Sequence, residues 1–566
     1  MAVQAMQVRD DLLGAKEEVA HLVELARSGD SSAVETAAQT VLSQTVRASD
    51  TANGPLWRMA AAVPGVGDNV RAVSAAADAT RVLVERGLPP ALDILAATDA
   101  GSLTLADGGV NLAPFQAAQR ALPEISAALA EAKSMMADVR VDRVAGPVAD
   151  ALEQLTSAID HAGPALELAD KYLPTVLEMA GQSSPRDYLI LFQNNAEARA
   201  TGGNPAASFV LHVEGGRLEM TQQASATTFD IMQVSERVYL ELPEENLALY
   251  SSEFNRAPQN YNYTPNFPTT ARLFQTLWSR TMNLDVDGVI SIDPVVLAYM
   301  LQVTGPISLE TGEELSSANA VKVLLSDTYE RFGNDGMAAD AYFADVASRV
   351  FQRVVSGGWD PVAMFGALTQ AAEDQRVYMW FPRDTDQALA TELGLDGTLT
   401  ADNSKTTQVG IFVNDASYGK LEYYLQKSVS VDCDPASGTI HTSMTLSSSA
   451  PTGGLSPYTL GQRNAAWGIP LTSMILNVLF FAPPGAEISA TEPMRGDVQD
   501  WDRATTEEGH PAESRTIILP AGETRVVSFD FTLPPGASPI SLRYTPGVNP
   551  TDVTIASSCA EMTASG

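Results

Sequence analysis

The spacing of apolar residues changes twice along the chain, near residue 185 and again near residue 405. A chain that switches period in this way must fold as distinct layers, because helical and strand patterns bury different faces. Up to about residue 180 the sequence is rich in Ala, Leu and Val and nearly free of aromatics. Leu12, Leu13, Val19, Leu22, Val23 and Leu25 recur there at helical spacing. Further helices are expected over 68–86, 114–140 and 144–180, broken by Pro64, Pro89-Pro90 and Pro123. The lone Trp57 reads as a side chain pinning two helices together.

After Pro185 the texture changes. Tyr188-Leu189-Ile190-Leu191-Phe192 is an unbroken apolar run ending in Gln193-Asn194-Asn195, the pattern of a strand buried on both faces of an α/β sheet. Residues 207–213 and 218–222, around Glu214-Gly215-Gly216-Arg217, read as a hairpin. A helix is expected over 268–281, a strand over 286–292, and a helix opening on Pro294 over 294–303. More helices follow at about 316–332, 339–356 and 361–375. Beyond 405 short β-rich runs take over, at 408–414, 421–430, 439–447, 473–481, 514–519, 523–532 and 540–544. The expected fold is therefore multidomain α+β. A helical stalk or packing domain spans 1–180, an α/β layered domain 185–404, and a β-sandwich 405–566.

Charge narrows the partners. The 566 residues carry 35 Lys+Arg against 69 Asp+Glu, a net −34, which excludes sequence-general nucleic-acid binding and disfavours docking on an anionic leaflet. The five histidines, His21, His161, His212, His441 and His510, are scattered without zinc spacing. Cys433 and Cys559 both fall in the β region, where a single pair reads as a structural disulfide and points outside the cytoplasm. No apolar run of about 18 residues and no signal peptide is present, so the expectation is an ectodomain whose N-terminal anchor has been removed.

Three polar segments stand out. In QNNAEARATGG, residues 193–203, Asn194, Asn195, Glu197, Arg199 and Thr201 come after the apolar strand, where open α/β sheets place ligands. Gly202-Gly203 would let backbone N–H groups approach an anion, while a plainer reading is a polar turn with Arg199 paired to Glu197. The segment 260–272, NYNYTPNFPTTAR, brings Asn262 and Arg272 on an aromatic loop suited to sugar faces or to covering a core. In DVDGVISIDP, residues 285–294, Asp293 ends a strand as a candidate metal carboxylate, or as the cap of the helix behind it.

The strings YLILFQNNAEARATGG, NYTPNFPTTARLFQTLW and VDGVISIDPVVLAYMLQVTGPI, with LLSDTYERF and EDQRVYMWFPRDTDQALA after them, resemble the bacterial cell-surface family called domain of unknown function 4012. The GPLWRMAAAVPGVGDNVRAV segment resembles the helical region preceding that family's core. More distantly, the strand-then-Arg start and the later helix–strand–helix are similar to the core of LytR-CpsA-Psr proteins. That resemblance implies transfer of a glycopolymer phosphate from a polyprenyl pyrophosphate, with arginines clamping the pyrophosphate and acids holding Mg²⁺. Arg199 corresponds to the phosphate-binding arginine. Where those enzymes carry an Asp shortly after it, this chain has Thr201-Gly202-Gly203.

Two functions are consistent with these features. One is a cell-envelope phosphotransferase, using Mg²⁺, or a relative that binds a polyprenyl-linked saccharide pyrophosphate or cell-wall glycan without turnover. The other is a non-catalytic surface module acting through glycan or protein contacts. Both place the chain on the extracellular face of the cell membrane. An apolar tunnel opening at Arg199 would favour the first, a shallow polar surface the second.

Overall fold

The structure, a computed structural model, describes residues 2–28, 31–99, 109–251, 253–333, 335–489, 497, 502–533 and 539–562. The chain is a mixed α+β protein that divides into two compact units, Met1–Pro185 with Glu214–Arg217, and Arg186–Val213 with Leu218–Gly566.

The first unit is built from α1 (Ala2–Ser28), α2 (Ser31–Ala52), α3 (Pro55–Ala61), α4 (Gly67–Val82), α5 (Leu88–Asp99), α6 (Ala113–Met136) and α7 (Gly146–Met179). Trp57 is buried among Val8, Ala48, Ala52, Val70 and Ala77, and so pins α1, α2 and α4 together. The prolines expected to end helices do not all do so. Pro123 lies inside α6. Ahead of Pro89-Pro90, α4 widens into a π-type turn over Leu83–Gly87 and continues as α5. A widened turn re-routes the carbonyls that lose a proline's missing N–H, so the helix continues instead of stopping.

The second unit starts with a five-stranded sheet of order β3-β2-β1-β4-β7. Its strands are β1 (Arg186–Arg199), β2 (Gly202–Glu214), β3 (Arg217–Ser225), β4 (Gly288–Ile292) and β7 (Tyr378–Trp380). The intervening β5 (Ile307–Ser308) and β6 (Glu314–Leu315) form a separate small hairpin. β1 runs parallel to β4, with Tyr188 opposite Gly288 and Phe192 opposite Ile292, and antiparallel to β2. The strand expected over 188–192 does not end at Phe192. It continues through the polar segment to Arg199, with register shifts between Phe192 and Asn194 and between Asn194 and Ala198 that bend it.

Helices α8 (Ala226–Ile231), α9 (Glu244–Tyr250), α10 (Phe267–Met282), α11 (Pro294–Thr304), α12 (Ala320–Lys322), α13 (Thr328–Phe332), α14 (Gly336–Val355), α15 (Pro361–Glu373) and α16 (Asp384–Glu392) flank the sheet. The helix expected over 316–332 starts later, because β6 precedes it, and a π-type turn at Val323–Asp327 joins α12 to α13.

The rest of the unit is two five-stranded sheets. One has the order β12 (Glu487–Ser489), β15 (Thr524–Thr532), β10 (Thr439–Ser448), β9 (Leu425–Asp434) and β17 (Thr551–Ile555). The other has β13 (Arg503–Glu507), β14 (His510–Leu519), β11 (Met474–Phe481), β8 (Thr407–Asp415) and β16 (Ile540–Tyr544). Ile411, Val413, Leu476 and Phe480 from the second sheet share a core with Val431, Ile440, Met444 and Phe529 from the first. Every residue of β8 is buried, because its other face meets the α/β layer: Phe412, Leu479 and Phe481 pack in one cluster with Phe267, Phe274 and Trp278. Residues 421–424, expected as strand, form a 3-10 turn, and the short β12, β13 and β17 carry no pattern long enough to be expected from sequence. Cys433, near the end of β9, is disulfide-bonded to Cys559 on α18 (Ser558–Met562). No described helix is long and apolar enough to cross a membrane.

Candidate functional site

The alternation Ala196-Glu197-Ala198-Arg199-Ala200 is a strand pattern of period two, with small side chains on one face and charges on the other. All three alanines are fully buried. Ala196 packs with Leu297 and Leu301 of α11 and with Leu324, Ala198 packs with Val409, Ile411 and Val413 of β8, and Ala200 is tied to β8 and to Thr545 next to β16. The Ala200 N–H donates to Asn414 Oδ1 at 2.9 Å, and Thr545 Oγ1 donates to the Ala200 carbonyl at 3.1 Å. The segment that reads in sequence as an open loop is therefore roofed by the C-terminal sheets.

The polar residues predicted for the site are brought together, but chiefly in contact with one another. Gln193 Oε1 accepts from Thr201 Oγ1 at 3.1 Å, from Gly203 N–H at 3.0 Å and from Asn262 Nδ2 at 3.1 Å. Asn262 Nδ2 also donates to the Gly203 carbonyl at 2.7 Å. A Cβ on Gly203 would lie 2.1 Å from the Asn194 carbonyl carbon, and Gly202 sits at φ 139°, so both glycines serve the close approach of β1 and β2. Asn194 Nδ2 donates to the Tyr329 hydroxyl, and Asn195 Nδ2 to Asp293 at 3.1 Å.

Arg199 is 1% exposed. Its guanidinium donates to Glu197 Oε1 at 2.6 Å, to the Ala198, Gln259 and Asp415 carbonyls at 2.7, 3.1 and 3.4 Å, and to Asn260 Oδ1 at 3.5 Å. The ring of Tyr263 lies 4.9 Å from it. An arginine has five N–H donors, and these contacts occupy its fork. Glu197 Oε2 receives Lys420 Nζ and, at 3.1 Å, Asn204 Nδ2. Burial alone would push the Glu197 carboxyl up, but Lys420 and Arg199 override it and hold it at about 2. Asp415 beside them is pushed up to about 7, by burial first and by the Glu197 charge second.

Asp293 caps α11: Oδ1 accepts from the Val295 and Val296 N–H groups, each at 2.9 Å. Its other oxygen faces Arg376 Nη1 at 2.7 Å. With both oxygens engaged and a cation already beside it, Asp293 does not fit a metal ligand. Among the described residues no three His, Cys, Asp or Glu side chains are grouped so as to hold a metal. Arg272 stands apart from the network, exposed on α10 and bonded to the Pro268 carbonyl at 3.3 Å.

Beside this network lies a cleft of about 440 Å³ that sequence reading missed. Its origin is in α14. Tyr342, Val346 and Val350 bury one face of that helix, which leaves Ala341, Ala344 and Ala347 facing β2 and β3. Alanines at every third position fill too little of the gap between helix and hairpin. Phe192, Phe209, Leu325 and Phe343 line the cleft, and Asn194, Asn204, Tyr329, Tyr458 and Lys420 also border it, contiguous with the Glu197 cluster. The signal in sequence was the alanine period in 341–347. Lys420, one of seven lysines, carries no local signature.

A second buried carboxyl ties the α/β layer to β13. Glu507, fully buried, accepts from Asn246 Nδ2 at 2.8 Å, Thr264 Oγ1 at 2.6 Å and Tyr250 OH at 2.6 Å. Burial raises it to about 7, against which these three donors act only partly. Between its ordinary range and pH 7 the folded protein thus keeps a proton that the unfolded chain has lost. Stability conferred below that window falls as pH rises through it, by about 3 kcal/mol for this group. Asp415 acts in the same direction. Urea unfolding from pH 5 to 8 should show the decline, and Glu507→Gln should reduce its slope, leaving the part that Asp415 contributes; an unchanged slope in the variant would refute the assignment.

Residues 183–329 match the family model described as Protein of unknown function (DUF4012). The match runs from the start of β1 to Tyr329 and stops before α14 and Lys420. No curated protein matches the chain.

Proposed function

We propose that this DUF4012 chain is an extracellular cell-envelope protein that binds an amphipathic ligand of the lipid-linked saccharide class in the cleft between α14 and the β2–β3 hairpin. The observation that carries the reading is the division of the cleft's lining. Aromatic and alanine side chains supply an apolar wall, and Asn194, Asn204, Tyr329 and Lys420 supply a polar margin. Its volume lies within the range of small-molecule sites, roughly 300–1,000 Å³. Exposed Ile231 and Met337 come directly after the lining residues Asp230 and Gly336, which suits entry of an apolar chain. The disulfide is in keeping with an oxidising compartment outside the cytoplasm.

Kinship of the α/β layer with the LytR-CpsA-Psr phosphotransferases is part of this proposal, supported by the β1–β4 parallel pair with α11 behind it. Binding without turnover is favoured over phosphate transfer, because the guanidinium of Arg199 is committed to Glu197 and to backbone carbonyls. A second reading, a surface module docking a protein partner, draws on α15. That helix exposes Val362, Phe365 and Leu368, with no charge between Asp360 and Glu373.

Isothermal titration with dodecyl maltoside, a saccharide on an alkyl chain, tests the first reading. Binding is expected in the wild type, and Ala344→Phe, which fills the cleft, should weaken it at least tenfold with the thermal midpoint unchanged. Equal binding by both proteins would remove the cleft from consideration.

A further inference from the structure

We infer that the cleft selects a ligand whose head carries a primary ammonium group, held by the carboxylates of Asp230 and Asp340 and by the side-chain oxygen of Asn204. The inference rests on the reading of the cleft as an amphiphile site and adds the charge of the head group, that of an amino sugar. Asp230 lies at the end of α8. Asp340 lies on α14 one turn before Ala344, so it belongs to the stripe that shapes the cleft. Both side chains line the cleft, and among the described residues neither forms a hydrogen bond or an ion pair. Asp340 Oδ2 is buried. Burial first and the Asp340 charge second push the Asp230 carboxyl up, the mark of two like charges facing each other with no cation between them.

The other polar groups of the cleft agree with this charge. Asn204 is 7% exposed and lines the cleft. Its Nδ2 donates to Glu197, and its Oδ1 has no partner among the described residues. The unused polar atoms of the lining are therefore acceptors, two carboxylates and an amide oxygen. An ammonium has three donors and no acceptor, which makes it the complementary group. Lys420, the one cation among the lining residues, is already held by Glu197 and leaves no surplus of positive charge for an anion. Aromatic rings add to the preference. Those of Phe343 and Tyr458 lie 6.2 and 5.5 Å from that of Tyr329, all three line the cleft, and ring faces attract a cation.

Titrations with octyl glucosaminide and octyl glucoside, which differ by an ammonium in place of one hydroxyl, and with free glucosamine test the inference on the full chain. They are run at about pH 6, where the amine is charged. The glucosaminide is expected to bind at least ten times more tightly than the glucoside. Asp340→Asn should weaken the glucosaminide ten- to a hundredfold, the loss of one charge-assisted hydrogen bond, and leave the glucoside within about twofold. Asp230→Asn, at a more exposed position, should weaken the glucosaminide by a smaller factor and keeps the test open if the Asp340 variant does not fold. General attraction of a cation to a chain of net charge −34 is common to the wild type and both variants, so it does not produce this difference. Unchanged glucosaminide affinity in both variants, with the glucoside still bound, would overturn the ammonium assignment and leave the cleft reading standing. Free glucosamine binding as tightly as octyl glucosaminide would overturn the amphiphilic source. If neither octyl compound binds, the cleft reading fails and this inference with it.

Discussion

Arg199→Ala is expected to lower the free energy of unfolding by about 1–3 kcal/mol for each buried acceptor left without its donor. The substitution withdraws donors from Glu197 and from the Ala198 and Asp415 carbonyls, which are buried, and from the half-exposed Gln259 carbonyl. Glu197 keeps Lys420 and Asn204, so its charge is not orphaned, but the buried Ala198 and Asp415 carbonyls lose a donor. Sequence reasoning leads to a different expectation for this variant, lost ligand binding with a nearly unchanged melting temperature. Urea titration separates the two. A midpoint within experimental error of the wild type would show that Arg199 is dispensable to the fold.

Replacing Cys433 and Cys559 together by Ser should cost up to about 5 kcal/mol. The bond closes a loop with a sequence separation of 126 residues, and the chain-entropy model assigns that figure to a loop of this length as an upper bound. The loss should be felt first at the C-terminal end. β17 pairs in parallel with β9 through Thr551–Ile555 and Lys427–Val431, and α18 comes after it carrying Cys559. Without the bond the last strand is held by those contacts, by the Ala556 N–H donating to the Val431 carbonyl at 2.9 Å and by Asn549 Nδ2 donating to the Tyr423 and Leu425 carbonyls. Thermal scans with and without reductant provide the measurement, and coincident midpoints would refute the expected contribution.

Much of the fold was legible because it is written in local periodicity. The helices of the first 180 residues, the β2–β3 hairpin around Gly215-Gly216, the β4–α11 unit with Pro294 at its start, and most strands beyond 405 arise from patterns a few residues long. The errors were also local in origin. Reading 193–203 as a loop gave weight to its polarity and missed the two-residue alternation in Ala196–Ala200. Treating prolines as stops ignored π-type turns, which absorb a missing donor.

The candidate site divides along the same line. The sequence by itself determined which residues are chemically able to form a polar network: the amides, Glu197 and Arg199 of β1, Asn262 and Asp293. It also determined that the cysteines could pair. Only the tertiary structure decided that the charged face of β1 is covered rather than open to ligand. The covering groups, Asp415 and Lys420, lie more than 200 residues away in the chain. An arginine at the end of a strand is a ligand contact when solvent reaches it, and a structural cation when a carboxylate and carbonyls surround it. The same residue serves either role, and the choice rests on packing against distant segments that no local pattern encodes. The cleft has the same origin: the alanine stripe of α14 is local, but the gap it leaves exists only because the hairpin stands opposite.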